Sequence, residues 1–404
     1  MPKNDIHIDV NLTASARSGA EEFQTGHVLT VSLAHFLNDT YTSFLAPILP
    51  TLISKLGLSN TQAGLLAFIQ STPSLLQPLI GHLADRASLR YFVILTPALA
   101  ASTMSLLGVA PSFAVIALLV AVAGLSSASF HAAAPAMAGR LSGPRLGRGI
   151  GLWTIGGYLG FAVGPILVAG TVRLFTLEGT PWLAIGGWLG SALLYLRLRG
   201  VALQPTPSTA TNSWRRGLEG MRPFLIPVVG LVVSRAMAFS ATLTFLPILL
   251  TAQGAPVWLA GIALSLIQLT SAAGALLAGS ASDRVGRRSI MVVSLLTSPA
   301  LILALVSLPG SLQLPVLIGL GLSMPAVNVV LMALMQESCP DNRALATGVL
   351  LSLTFVSESV GAVLLGALAD LFGLPTAFAV SALLLSMGLP LLLLLPRDRP
   401  ATSP

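Results

Sequence analysis

Five ionisable side chains stand where charge is expensive. His35, Asp39, His131, Arg235 and Glu358 each fall well inside a long apolar run. A charged side chain at the centre of a bilayer costs about 3 kcal/mol or more, so such residues normally face a cavity and carry function. The stretch AHFLNDTYTSFLAPILP, Ala34 to Pro50, places His35, Asn38, Asp39 and Thr42 at i, i+3, i+4 and i+7, on one face of a helix. A carboxylate binds its proton differently in water, in apolar surroundings and beside arginine. Alternating such a group between surroundings loads a proton on one side of a membrane and releases it on the other. Asp39 is the first candidate carrier and Glu358 the second. His131 is a candidate relay, because imidazole titrates near physiological pH. Arg235 is a candidate partner for an anionic substrate group, or for a carboxylate when no substrate is present. The plainer alternatives are ion pairs of Asp39 or Glu358 with Arg235 that only hold helices together, and hydrogen-bonded structural histidines.

The elements that position these groups follow from composition. Of 404 residues, 54% are hydrophobic and 9% charged, against about 25% charged in soluble proteins. The chain reads as a polytopic membrane protein. Apolar runs predict twelve helices, at 27–53, 61–84, 91–109, 113–139, 147–172, 181–198, 223–250, 256–281, 289–308, 313–336, 344–371 and 374–396. These runs are unbroken and about twice the length of the alternating strands of a transmembrane barrel. The polar first 25 residues have no apolar core of a signal peptide. Cys339 is the single cysteine, so no disulfide forms within the chain.

Lysine and arginine set the orientation. With the N-terminus in the cytoplasm, 18 of the 21 basic residues fall on the inside, Lys55 and Arg173 fall outside, and Arg235 lies within a span. The net charge of +7 is therefore explained by topology, without nucleic acid. The predicted organisation is a cytoplasmic tail over 1–26, a six-helix bundle over 27–198, a basic Pro/Ser/Thr-rich linker over 199–222, a second six-helix bundle over 223–396 and a tail over 397–404.

The halves repeat. Leu66-Ala-Phe-Ile-Gln70-Ser-Thr72 matches Leu264-Ser-Leu-Ile-Gln268-Leu-Thr270, and Gly81-His-Leu-Ala-Asp85-Arg86 matches Gly279-Ser-Ala-Ser-Asp283-Arg284, both at an offset of 198. Phe44-Leu-Ala-Pro47-Ile-Leu matches Thr244-Phe-Leu-Pro247-Ile-Leu at 200. Parallel repeats of this kind build secondary transporters with a central site.

GSASDRVGRR, Gly279 to Arg288, resembles in full the loop signature G-x-x-x-D-R-x-G-R-R of the major facilitator superfamily. GHLADRASLR, Gly81 to Arg90, resembles it in part, with Ser88 and Leu89 where Gly and Arg are usual. AHFLNDTYTSFLAPILP, QAGLLAFIQSTPSLLQPLIGHLADR and SASFHAAAP resemble the fosmidomycin-resistance branch of drug exporters, departing from it at Ala132 and Ala133. The resemblance implies an all-α membrane protein of twelve transmembrane helices in two pseudo-symmetric bundles. It also implies a cavity lined by helices 1, 4, 7 and 10. Asp39, His131, Arg235 and Asn328 would then face one water-filled space, with His35, Asn38, Thr42 and Thr242 among the substrate-facing residues.

The loop residues have a physical reading. Asp85 and Asp283 would each face a helix N-terminus of the other half, where free backbone N–H groups favour a carboxylate. The expected partners are the helix 11 start with Arg343 for Asp85, and the helix 5 start with Arg148 for Asp283. Gly81, Arg86, Arg90, Gly279, Arg284, Gly286, Arg287 and Arg288 complete this cytoplasmic gate. In helix 5, Gly160, Gly164 and Pro165 resemble the antiporter signature G-x-x-x-G-P-x-x-G-G, with Val168 and Ala169 in place of its last two glycines; as small residues at four-residue spacing they also serve plain helix packing.

No phosphate-binding loop G-x-x-x-x-G-K-[ST] and no Cys/His cluster occurs, so no cofactor, metal or enzymatic activity is expected. The expected function is proton-coupled export of a small amphipathic or anionic compound, fosmidomycin-like, by alternating access. The alternative is proton-coupled uptake of a small metabolite or organic anion. The expected partners are a small-molecule substrate, protons and the lipid bilayer. The resemblance implies a monomer, in a bacterial inner membrane, with both termini cytoplasmic.

Overall fold

The computed structural model describes residues 23–77, 79–80, 89–201, 213–338 and 343–395. Every element among them is a helix. The first half holds α1 (Thr25–Thr42), α2 (Leu45–Leu56), α3 (Asn60–Ser71), α4 (Leu89–Ser105), α5 (Phe113–Leu141), α6 (Leu146–Phe175) and α7 (Ala184–Leu198). The second holds α8 (Ser213–Ser240), α9 (Leu246–Ala252), α10 (Val257–Val285), α11 (Arg287–Ser307), α12 (Gly310–Ser323), α13 (Pro325–Ser338), α14 (Arg343–Phe372), α15 (Leu374–Ser386) and α16 (Gly388–Leu391). Within the described residues, each of the twelve expected spans falls on helical segments. Nine helices among the described residues are long and apolar enough to cross a membrane. The expected spans 27–53, 61–84 and 181–198 are not among the nine. The polar α1 ends at Thr42, α3 passes into a 3-10 turn at Thr72, and α7 has 15 residues.

Two boundaries differ from the sequence reading. The helix that carries the seventh span starts within the expected linker, at Ser213, while its apolar part begins at Phe224. Trp214, Leu218 and Met221 recur at i, i+4 and i+7, an amphipathic pattern that a search for unbroken apolar runs passes over; Met221 is fully buried. The first span is also two helices rather than one. Pro47 has no N–H, and its ring excludes the carbonyl of Ser43, so the helix stops at Thr42 and restarts at Leu45. Upstream of Pro247 the chain instead widens into a π turn over Ala241–Phe245. The repeat seen in sequence thus falls on a helix break in the first half and on a π turn within a continuing helix in the second. Gln70 Nε2 donates to the Thr42 carbonyl beside the first break, at 2.7 Å.

The halves pack alike. In the first, α1 lies along α6 and α4 along α5 and α7; in the second, α8 lies along α14 and α11 along α12 and α15. The α1–α6 seam is unusually close. A Cβ at Gly156 would collide with the Ser32 carbonyl, and one at Gly164 with the Thr40 carbonyl and Ser43 Oγ. Small residues at four-residue spacing let two backbones meet this way. Gly160 belongs to the same row, with the Thr40 amide nitrogen 2.9 Å from where its Cβ would be.

Between the halves, α3 faces α14 and α6 faces α10. These seams tighten at the end that carries Lys55. There a Cβ at Gly64 would strike the Ala362 carbonyl, and one at Gly366 the Asn60 carbonyl. Gly261 lies against Pro165 and Ala169, and the Arg173 guanidinium covers the Trp258 ring at 4.5 Å. At the opposite, arginine-rich end, Gly286 turns α10 into α11 with φ +94°, a conformation that favours glycine.

The α1–α6 seam yields a prediction. Gly156→Ala should lower thermal stability in detergent by about 1–3 kcal/mol, the usual cost of overpacking. Gly151→Ala, whose Cβ meets nothing within 4 Å, should change it by less than about 0.5 kcal/mol. Paired melting curves of the two variants check this.

Candidate functional site

In the first half, three helices converge on Asp39. The carboxylate is 2% exposed. Its Oδ2 lies 3.0 Å from His35 Nε2 and its Oδ1 3.8 Å from His131 Nε2. Asn38 Nδ2 donates to Oδ1 at 2.9 Å. The helical i, i+4 spacing brings His35 onto Asp39, and α5 supplies His131. Gly157 of α6 makes the room, since a Cβ there would stand 2.6 Å from His35 Nε2 and 2.9 Å from Asp39 Oδ2.

Both imidazoles are oriented by main chain. His35 Nδ1 lies 2.8 Å from the Trp153 carbonyl, and the Trp153 indole stacks on the ring with centroids 4.0 Å apart. His131 Nδ1 lies 2.9 Å from the Ser127 carbonyl one turn earlier on α5. A carbonyl only accepts, so each Nδ1 carries a hydrogen, and each Nε2 is aimed at Asp39. His35 is closed off between Asp39, Trp153 and Phe130, whereas His131 remains 27% exposed. The structure sets His35, expected among the substrate-facing residues, in direct contact with the proton-carrier candidate Asp39, as it does Asn38.

The second half carries a different pair. Arg235 Nη1 of α8 lies 3.1 Å from Glu358 Oε1 of α14, and both side chains are largely buried. The contact is an ion pair without a well-aligned hydrogen bond, for Nη1 makes none. The guanidinium also lies over the Phe239 ring, and Ser240 Oγ donates to the Glu358 carbonyl at 3.0 Å. Asp39 pairs with histidines and not with Arg235, because Arg235 is taken up by the carboxylate of its own half. Thr42 and Thr242 turn back to carbonyls of their own helices. Asn328 on α13 keeps a buried Oδ1 without a partner.

The expected cytoplasmic gate is only partly visible. Gly81, Asp85 and Arg86 lie outside the described residues, as does the side chain of Arg343. Among the described residues, Asp283 pairs with Arg287 of its own half at 3.0 Å, and the Arg148 guanidinium lies over the Phe23 ring. Arg287 also binds Glu337 and Ser282. Arg90 donates to the Arg199 carbonyl at 2.7 Å, Arg284 is exposed, and Arg288 stands in the first turn of α11. Gly279 has room for a Cβ, with Val329 Cγ1 the nearest atom at 3.6 Å. The physical reason is that the halves meet closely at the Lys55 end, so the carboxylate of Asp283 has its own half for a partner.

Three partners escaped the sequence reading. Trp153 and Ser127 act through main-chain carbonyls, which residue type does not reveal. Glu337 had a weak signal, an acid in the last turn of an apolar helix. The donor atoms of His35, Asp39 and His131 lie within 4.8 Å of one another, near enough for a metal ion, though His35 Nε2 and Asp39 Oδ2 are already bonded to each other.

Comparison with known proteins follows this geometry. The model of the Major Facilitator Superfamily matches residues 31–339 and 228–404. A fosmidomycin resistance protein of Escherichia coli (strain K12) is 26% identical over 396 residues, 96% of each chain. A multidrug efflux pump, Tap, of Mycolicibacterium fortuitum is 31% identical over 254 residues, 58% of each chain. Among solved structures, a bacterial homolog of the human lysosomal transporter Spinster, inward-facing and occupied, superposes with a TM-score of 0.77 at 16% identity, covering 92% of this chain and 96% of that one.

The Arg235–Glu358 pair makes a testable demand. Arg235→Met leaves a buried carboxylate alone and should cost about 3–5 kcal/mol. Adding Glu358→Met should restore most of that loss. Thermal unfolding of the single and double variants in one detergent decides it.

Proposed function

The chain belongs to the Major Facilitator Superfamily, and from that premise we propose that it exports a small amphipathic or anionic compound in exchange for protons. It is a multi-pass membrane transporter and not an enzyme. The proposal places it in a bacterial inner membrane as a monomer, with both termini and the arginine-rich end in the cytoplasm. The closed Lys55 end then makes this the inward-facing form. That assignment accounts for Asp283 resting on Arg287, since a cytoplasmic latch forms only when the cytoplasmic side is shut.

The observation that carries the reading is the contact between His35 and Asp39. His35 Nδ1–H is committed to the Trp153 carbonyl. A bare Nε2 lone pair would repel a carboxylate oxygen at 3.0 Å. One proton must therefore lie between Nε2 and Oδ2, whichever atom holds it. The pair is a proton store, sealed from lipid by Trp153 and Phe130. His131 is its port. Its Nε2 faces Asp39 Oδ1, its ring is the exposed member of the three, and its Nδ1–H is fixed by Ser127. The proton leaves through His131 when the store opens to the cytoplasm.

The second half supplies the substrate side. Arg235 pairs with an anionic group of the substrate and, without substrate, with Glu358. Asn38 Oδ1, Trp153 Nε1 and Asn328 Oδ1 are buried without hydrogen-bond partners. Buried polar atoms are normally paired, and a polar substrate bound between the halves would supply partners. The names of the relatives, a fosmidomycin resistance protein and a drug efflux pump, favour a drug-like cargo such as a phosphonate.

Expression in an efflux-deficient bacterium tests this. The chain should protect against fosmidomycin, other phosphonates or cationic dyes, and Asp39→Asn at equal expression should not. In vesicles, Asp39→Asn should lose at least about 100-fold of gradient-driven transport. Proton release on substrate binding supports exchange. Proton uptake with substrate overturns it in favour of symport of an organic anion, the uptake reading.

A further inference from the structure

The closed end is held by a contact that no motif announces. Asp370, on the last turn of α14, accepts four hydrogen bonds from the first turn of α3 in the other half. Asn60 N and Thr61 N donate at 2.8 Å each, Asn60 Nδ2 at 2.9 Å and Thr61 Oγ1 at 2.6 Å. Each carboxylate oxygen takes one backbone and one side-chain donor.

Accounting for the donors of α3 shows what this contact does. A helix leaves its first N–H groups without intrahelical partners. Ser59 N donates to Gln62 Oε1 and Gln62 N to Ser59 Oγ, a reciprocal capping box. Ala63 N reaches the Ser59 carbonyl. Asn60 N and Thr61 N remain, and α3 itself offers them nothing. Asp370 fills both places from across the seam, with its charge at the positive end of the helix dipole. The backbone below it is fitted to the same contact, since any side chain at Gly366 would strike the Asn60 carbonyl. At the other seam at this end, the Arg173 guanidinium lies over the Trp258 ring.

We infer that Asp370 is a positioning residue of the transport cycle, a latch that keeps the Lys55 end shut by capping α3 and must release before that end opens. The inference rests on the reading that the halves rock about a central site. Gly366-Ala-Leu-Ala-Asp370 has the Gly-x-x-x-Asp spacing of Gly81–Asp85 and Gly279–Asp283. Span 11 thus ends on the same Gly-x-x-x-Asp spacing that spans 2 and 8 carry. Release is easy at the membrane edge, because water can take over the N–H groups of Asn60 and Thr61 as the carboxylate withdraws. A latch deep in the bilayer would lack that exchange.

The test measures the opening directly. In the full chain with Cys339→Ser, spin labels at Ser54→Cys and Ala252→Cys sit at the ends of α2 and α9 and report the separation of the halves. In lipid nanodiscs the parent should show mainly the short distance. Asp370→Ala should raise the share of the long distance at least about fivefold, and Asn60→Ala with Thr61→Val, which weakens the latch from the other side, should shift it the same way. Gly366→Leu is the control wedge, opening the seam by bulk. An unchanged distribution in both latch variants, with a shift in Gly366→Leu, overturns the latch and leaves rocking intact. A single short distance in every variant, at acid and at alkaline pH, overturns the rocking reading and the latch with it.

Discussion

One buried carboxylate organises the first half of this protein. Asp39 lies at mid-membrane, where an unpaired charge is too costly to keep. Its satisfaction requires Asn38, His35 and His131 around it, and the two imidazoles require carbonyls behind them. Those carbonyls come from Trp153 and Ser127, on different helices. The Trp153 carbonyl reaches His35 only because α1 and α6 approach to backbone contact. The row Gly156, Gly160 and Gly164, with Gly157 beside it, is therefore part of the electrostatic solution as well as the packing. A residue with a Cβ in that row separates the helices and leaves the charge unpaired.

The second half uses the same frame for different chemistry. Its paired helices α8 and α14 also approach closely, with Gly361 against the Ala236 backbone. Pro247 follows a π turn in its first span where Pro47 follows a break in that of the first half. Yet position 235 holds arginine where 35 holds histidine, and the carboxylate that answers it comes from α14, not from the same helix. The two halves thus present unlike charges toward the middle from like scaffolds. A transporter needs that division if one half holds a proton and the other meets the substrate.

The ends of the bundle obey a second constraint, the unfilled N–H groups of helix starts. Each start of a span can be completed by the opposite half or by water. This exchange is what allows a seam to open without leaving buried polar groups stranded. Glycines at the seams bring the backbones near enough for it, with α3 packed against α14 and α6 against α10.

The sequence by itself determined the class, the helical spans, the repeat and the identity of the five ionisable residues within spans, because hydrophobic length and the cost of charge in lipid are local properties. It also carried the family, through the loop GSASDRVGRR. Tertiary structure decided the pairing. That Asp39 meets His35 and His131 rather than Arg235, that Trp153 orients His35 through its carbonyl, and that Asp370 caps α3 all depend on which helices touch. Composition and spacing within one helix do not contain that information. The helical start of α8 at Ser213 was missed for a related reason, since its amphipathic pattern gains meaning only beside the bundle that buries Met221.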